Sequence, residues 1–321
     1  MLPGRAEAVA RIDRLVSGAR RGVSGALIVH GDPGIGKTTL LHRVTTAATG
    51  FTILRAQPLQ TESQLPFAGL SDLLRPLMHL LERIPGPQAA VLSGALALGP
   101  PAPGDRFAAA AATISLLAEG AEEGPVLAVV DDAHWLDTPS REALLFAGRR
   151  LAREGVVLIL AMRDRSWLES AGIERLELRG LEPAAAAELL AGTGRAVSSG
   201  VCERLVADTA GNPLGLLEAV AMLSDAQLWG SAPIAEPIDV GRHLERSFAQ
   251  RLEPLPDETR RALLVAAASY SGDATEIMRA TRSSGPAAAA ARCEAIRSHW
   301  SGLSASASAW CAARRSTGSA T

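Results

Sequence analysis

One octapeptide restricts the fold of this chain more than any other feature in it. Gly31 to Thr38 read G-D-P-G-I-G-K-T, and Thr39 follows directly. Ahead of it stands "GALIVH", a short apolar and β-branched run that reads as a buried strand. Behind it, "TTLLHRVTTAA" places Leu40, Leu41, Val44 and Ala47 at the spacing of an amphipathic helix. Strand, glycine loop and helix is the arrangement in which successive backbone N–H groups and a helix N-terminus make a nest for an anion. Glycine lets the backbone come close and adopt conformations that a side chain forbids.

The lysine sharpens the reading. The chain has 32 Lys and Arg residues, and Lys37 is the single lysine among them. Arginine's planar fork and lysine's compact, strongly hydrated ammonium are not interchangeable cations. A sequence that writes its positive charge as arginine everywhere else uses lysine where a point charge must reach into a phosphate loop. The motif G-x-x-x-x-G-K-[ST] is met at every fixed position, so Gly31, Asp32, Pro33, Gly34, Ile35, Gly36, Lys37, Thr38 and Thr39 are expected to bind ATP or ADP. The alternative is a plain glycine turn carrying a surface lysine, and the flanking strand and helix argue against it.

A phosphate loop needs an acid that organises a metal ion. "PVLAVVDDAHWLD" supplies one: Val126 to Val130 suit a parallel strand buried on both faces, and Asp131 and Asp132 follow at its end. Asp131 is expected to hold Mg²⁺ through water, with the Thr38 hydroxyl opposite. Asp132 is the candidate to orient or deprotonate an attacking water; a glutamate is commoner in that role, so slow turnover is expected. The bland alternative is a pair of acids ending a strand and capping a helix. His134 and Trp135 read as a turn and a packing residue. Asp137, before Thr138-Pro139-Ser140, reads as a helix cap. A further apolar run, "VVLILAMRD", ends in Arg163, which either approaches the γ-phosphate or is an ordinary arginine at a strand end.

Strands read at Ala26–His30, Thr52–Ala56, Val126–Val130, Val156–Ala161 and Arg175–Leu178, with helices between, predict an α/β fold: a parallel sheet with helices on both faces. Between the second and third strands lies an insert. "PFAGLSDLLRPLMHLLERI" has helical spacing, "GPPAPGDRF" is a loop, and "FAAAAATISLLAEG" is a buried helix too short to span a bilayer. The expected organisation is a nucleotide-binding domain over 1–180 and a smaller, all-helical, lid-like region over 181–236. The latter is broken at Gly211-Asn212-Pro213, read as a helix–helix turn or as a lid element touching the base. Two more amphipathic helices over 237–282 open a further, winged-helix-like domain. Residues 283–321 lack sustained apolar periodicity and read as a low-complexity tail. An out-of-frame reading of GC-rich coding sequence would give the same mixture of residues.

Net charge is −2, so no chain-wide basic field draws the protein to nucleic acid or an anionic membrane. Cys202, Cys293 and Cys311 have no metal-ligand spacing and read as reduced thiols. The charged N-terminus has no apolar signal core, so a cytoplasmic location is expected.

In order along the chain, "GDPGIGKTTLL", "LPFAGLSDLLRPL", "VVDDAHWLD", "LILAMRD", "AGNPLGLLE" and "RLEPLPDETRRALLVAAA" resemble the ATPase portion of large bacterial LuxR-family transcriptional regulators. These belong to the signal-transduction ATPases with numerous domains (STAND), allied to AAA-type P-loop ATPases. The resemblance implies a switch: ADP holds a closed monomer, while inducer and ATP open it, let it self-associate and activate transcription. Weak ATP hydrolysis acts as the timer. It implies that Arg5, beside Gly4, lies near the nucleotide, that Arg163 senses the γ-phosphate, and that Pro213 within Gly211–Pro213 contacts the base side. The family continues into a helical sensor and a C-terminal helix-turn-helix, and neither pattern is visible here, so DNA binding by this chain alone is not expected. Two other functions fit a phosphate loop: a phosphotransferase acting on a small molecule, which the mostly apolar insert argues against, and a nucleotide-binding remnant without output.

Overall fold

A computed structural model of the chain describes residues 2–100, 106–163 and 172–234, all within one compact unit, Met1–Ala235. The helices expected over 237–282, the tail over 283–321 with Cys293 and Cys311, and the centre of the Pro/Gly-rich loop lie outside the described residues.

Five strands form one parallel sheet: β1 (Gly25–His30), β2 (Thr52–Ala56), β3 (Val126–Val130), β4 (Val156–Met162) and β5 (Glu174–Glu177). Their order is β2-β3-β4-β1-β5. The second and third strands fall where the apolar runs predict. The fourth gains Met162, and the fifth starts one residue earlier than predicted, because pairing with β1 sets its register: His30 lies opposite Glu177.

Strand periodicity divides the core into two layers. Leu27 and Val29 of β1, Leu127 and Val129 of β3, and Val157, Ile159 and Ala161 of β4 are buried on one face. There they meet Ile12 and Val16 of α1 (Ala6–Ala19) and Leu40, Leu41 and Val44 of α2 (Lys37–Ala47). The alternate residues, Ile28, Val126, Ala128, Val130, Leu158 and Leu160, turn to the other face. That face is covered by α3 (Ala68–Leu74), α5 (Arg106–Glu122) and α6 (Thr138–Arg150), through Leu70, Leu73, Leu116 and Leu144 among others. Both faces are apolar, so β3 and β4 can be uninterrupted hydrophobic runs. Each fully buried Leu, Ile or Val adds roughly 1.5–3 kcal/mol to folding.

The first stretch of the insert, read only as having helical spacing, is not one continuous α-helix. After α3 the chain tightens into a 3₁₀ helix over Arg75–Arg83, followed by α4 (Gly86–Ala95). Pro76 explains the change: it has no N–H for the ladder, and in an α-helix its ring would press on the carbonyl four residues back. α5 buries Ala109, Ala112, Thr113, Leu116 and Leu117 as expected, and the Thr113 hydroxyl donates to the Ala109 carbonyl oxygen at 2.8 Å. Among the described residues no helix is long and apolar enough to cross a membrane.

Beyond the sheet, α7 (Pro183–Ala191), α8 (Ser199–Thr209), α9 (Pro213–Met222) and the short α10 (Asp225–Leu228) form an all-helical group. Its core holds Ala186, Leu190, Cys202, Leu205, Leu216 and Val220. The Gly211-Asn212-Pro213 break is a helix–helix turn: α8 ends in left-handed Ala210 and Gly211, and Asn212 caps α9 by accepting from the N–H groups of Leu214 and Gly215.

Asp137 caps α6 as its sequence suggests and also ties the start of α3 to the start of α6. Its carboxylate accepts from Ser140 N–H at 2.9 Å, and from Phe67 and Gly69 N–H at 2.8 and 3.2 Å at the start of α3. The Ser140 hydroxyl accepts from Leu70 N–H at 2.9 Å. Asp137 is 3% exposed, so no water replaces a lost oxygen. Asp137→Ala should therefore lower folding stability by about 2–4 kcal/mol, a cap loss plus stranded donors. Urea unfolding measures it, and a loss under about 0.5 kcal/mol would refute this role.

Candidate functional site

A parallel sheet of this kind collects functional groups at the carboxyl ends of its strands, where loops rather than core follow. The Gly31–Gly36 loop leaves the end of β1 and enters α2. The two acids follow β3, and Arg163 follows β4, the strand that lies between β1 and β3. The order of the strands therefore brings together four groups that the sequence scatters over more than a hundred positions.

The loop is shaped by close approach. A Cβ at Gly31 would sit 2.5 Å from the Leu178 carbonyl oxygen, and one at Gly34 2.8 Å from Leu214 Cβ. Gly36 differs: a Cβ there would meet nothing within 4 Å, but its φ of 100° is one that only glycine holds without strain. As the N-cap of α2, Gly36 brings no side chain to satisfy the first-turn amides. The helix start therefore keeps its N–H groups and the positive end of its dipole for a ligand. Ile35 and Lys37 are buried, Gly31, Gly34 and Gly36 are half-buried, and Asp32, Pro33, Thr38 and Thr39 are exposed.

Lys37 is 6% exposed, and its ammonium donates to the carbonyl oxygens of Gly31 and Asp32 at 2.7 and 2.9 Å. The lysine thus lies folded against its own loop. Burial, and then the nearby charge of Arg163, bring its pKa down from 10.5 to about 8, against the opposing pull of Asp132, Asp131 and Asp32.

Across the mouth of the loop, the Thr38 hydroxyl donates to Asp131 Oδ2 at 2.7 Å. The other Asp131 oxygen accepts from Asp132 N–H at 3.0 Å, and Asp131 N–H is fixed to the Ala56 carbonyl at the end of β2. Burial is the main force holding the Asp131 carboxyl above its usual pKa, with the charge of Asp132 adding to it and the Thr38 bond opposing it. A hydroxyl and a carboxylate oxygen in contact are hard oxygen donors of the kind Mg²⁺ takes together with water and phosphate. The residues present fit that ion. Among the described residues no three His, Cys, Asp or Glu side chains gather as a metal cage.

Asp132 turns the chain out of β3 in a left-handed conformation, φ 50°. Its Oδ1 lies 3.5 Å from Arg163 Nε and 3.9 Å from His134 Nδ1. His134 and Trp135 form a short 3₁₀ turn with their rings 4.7 Å apart, which is the turn and packing role their positions suggest.

Two further residues hold the loop from outside. Arg5 donates from Nη1 to the Arg179 carbonyl and from Nη2 to the Ile35 carbonyl, at 2.7 and 2.9 Å. Asn212 donates from Nδ2 to the Pro33 carbonyl at 2.8 Å, while Leu214 N–H donates to the Gly34 carbonyl at 3.3 Å. Pro213 stands between these two contacts. The sequence marks the Gly211-Asn212-Pro213 tripeptide as a turn or a lid element, but its capping pattern does not point to a bond between Asn212 and a carbonyl 179 residues away.

Residues 1–160 match the model of the AAA ATPase domain. An uncharacterized protein of Rhizobium meliloti (strain 1021) is 27% identical, over 53% of this chain and 20% of its own length, so the match spans about a fifth of that relative. Among solved structures, a STAND protein with a tetratricopeptide repeat sensor from Pyrococcus horikoshii is 19% identical with a TM-score of 0.48, covering 80% of this chain and 34% of that one. The Cdc6 protein of Pyrobaculum aerophilum is 16% identical with a TM-score of 0.48, covering 93% of this chain and 86% of that one.

Because Lys37 is the single lysine of the chain, lysine-selective isotope labelling gives one side-chain resonance. It should titrate near pH 8, and Arg163→Gln should move the midpoint upward by removing the neighbouring positive charge. The folded protein gives up this proton before the unfolded chain does, so this group makes the fold gain stability as pH rises from about 8 to 10.5. A midpoint at 10 or above would contradict the buried placement.

Proposed function

With an AAA-type ATPase domain over residues 1–160 as premise, we propose that this chain is an ATP-binding, slowly hydrolysing switch module. It would act as the ATPase part of a LuxR-family transcriptional regulator of the STAND type. The observation that carries the reading is the 2.7 Å bond between the Thr38 hydroxyl and Asp131, which joins the phosphate loop to the acidic strand end at one point.

In this reading the backbone N–H groups of Gly34 to Thr39 and the start of α2 receive the phosphates, and Lys37 exchanges its loop carbonyls for phosphate oxygens. Thr38 and Asp131 are the residues that would hold Mg²⁺, which when bound neutralises charge on the phosphates. Asp132 orients a water toward the γ-phosphorus and accepts its proton; the oxygen–phosphorus bond to the β-phosphate breaks and ADP leaves. Aspartate is shorter than the glutamate commoner in this role, which suits a timer more than a fast enzyme. Arg163 reads the γ-phosphate. Arg5 and the Asn212–Pro213 turn brace the loop and line the base side. A nucleotide-binding domain over 1–180 and a lid over 181–236 are the working parts, located in the cytoplasm. Self-association in the ATP state and an inducer are the expected partners, and DNA binding is not proposed for this chain by itself.

Lys37→Ala should reduce ATP affinity at least 100-fold, since it removes the central cation from a buried anion site. Asp131→Ala should retain binding and abolish Mg²⁺-dependent phosphate release. Titration with a fluorescent ATP analogue and a phosphate-release assay test both. Wild-type affinity in the first variant, or unchanged turnover in the second, rejects the site.

A further inference from the structure

We propose that Arg163 is a positioning residue that restrains the Asp132 carboxylate by an ion pair, and that a triphosphate displaces this pair while a diphosphate leaves it in place. The inference rests on the reading of the loop as an ATP site and goes beyond it. It keeps one oxygen of the Asp132 carboxylate engaged by the guanidinium until the third phosphate arrives.

The geometry carries the argument. Arg163 and Asp132 leave the ends of adjacent parallel strands: Val130 pairs with Leu160, and Asp132 lies two residues beyond the first and Arg163 three beyond the second. Nε of Arg163 stands 3.5 Å from Asp132 Oδ1, with both side chains under a third exposed. The same oxygen lies 3.9 Å from His134 Nδ1, beyond hydrogen-bond distance, so the Arg163 pair is the charge contact that faces it. Its backbone is held in the left-handed region, at φ 50°, which fixes where the side chain leaves the chain.

On the other side of the mouth lies the second cation, Lys37, close enough to Arg163 that each charge disfavours the other. Two cations brought together in a half-buried cleft are tolerated where anions lie between them, and Asp132 serves Arg163 in that way. A terminal phosphate entering past Lys37 would offer the guanidinium better acceptors than one shared carboxylate oxygen. Asp132 and the γ-phosphate then compete for one arginine. A nucleotide ending at the β-phosphate brings no such competitor. The protein would pay for ATP binding by breaking the pair, and would gain in return a carboxylate freed for water only when there is a bond to cleave.

The test is a double-mutant cycle on nucleotide affinity, with Mg²⁺ and an ATP analogue bearing a non-hydrolysable β–γ bridge, run beside ADP. Asn tolerates a left-handed φ, so Asp132→Asn should keep the backbone, and a thermal melt checks it. Asp132→Asn should bind the triphosphate analogue about two- to five-fold more tightly, the worth of a partly exposed ion pair, with ADP affinity unchanged. In an Arg163→Gln background the same substitution should give no gain, because there is no arginine left to release. An equal gain for both nucleotides, a gain that persists without Arg163, or no gain at all overturns the proposal. Absence of saturable binding of either nucleotide to the wild-type chain overturns instead the ATP reading on which it rests.

Discussion

A sheet whose two faces are both covered by helices can present chemistry only at the ends of its strands. That constraint organises this molecule. β3 and β4 are buried along their whole lengths, and their side chains alternate between two separate apolar layers. No polar group can sit along them without a partner. Charge therefore begins where each strand ends: Asp131 after β3, Arg163 after β4, the loop with Lys37 after β1. The site is a direct consequence of where the core stops.

Within the site, electrostatics and desolvation oppose each other. Lys37 and Asp131 are both drawn toward their neutral forms by burial, and each is opposed by the other's charge. An incoming phosphate with a bound cation would answer both costs at once, supplying negative charge to the lysine and positive charge to the carboxylate. The same bookkeeping explains why the loop must be glycine. Its amides can face a ligand only if no Cβ fills the space against Leu178 on one side and Leu214 on the other.

The loop is also braced by chain segments distant in sequence. Arg5 reaches it from the N-terminus and Asn212 from the helical group, through the carbonyls of Ile35 and Pro33. A ligand that altered the loop would be felt at both. Asp137 plays the corresponding part for the insert, fastening α3 to the start of α6. Sequence made the first of these roles legible only through a family resemblance and the last only as a helix cap. A carboxylate accepting from three amides looks, in the chain, like one accepting from a single amide.

The sequence by itself determined the local units. Short apolar runs located β2 and β3 to the residue, the glycine–lysine octapeptide located the turn from β1 into α2, and Pro213 located a helix start. Each is encoded by neighbours a few positions apart, where steric and hydrophobic patterning act directly. Pro76 shows the limit of pattern alone, since apolar spacing marks the stretch as helical but not its change from α-helix to 3₁₀ helix at Arg75. Only the tertiary structure decided which strand ends would be neighbours. The Thr38–Asp131 bond joins residues 93 apart, and those of Arg5 and Asn212 to the loop span 30 and 179. Such contacts follow from strand order and from how helices close over the sheet, and that is settled by packing the whole core at once.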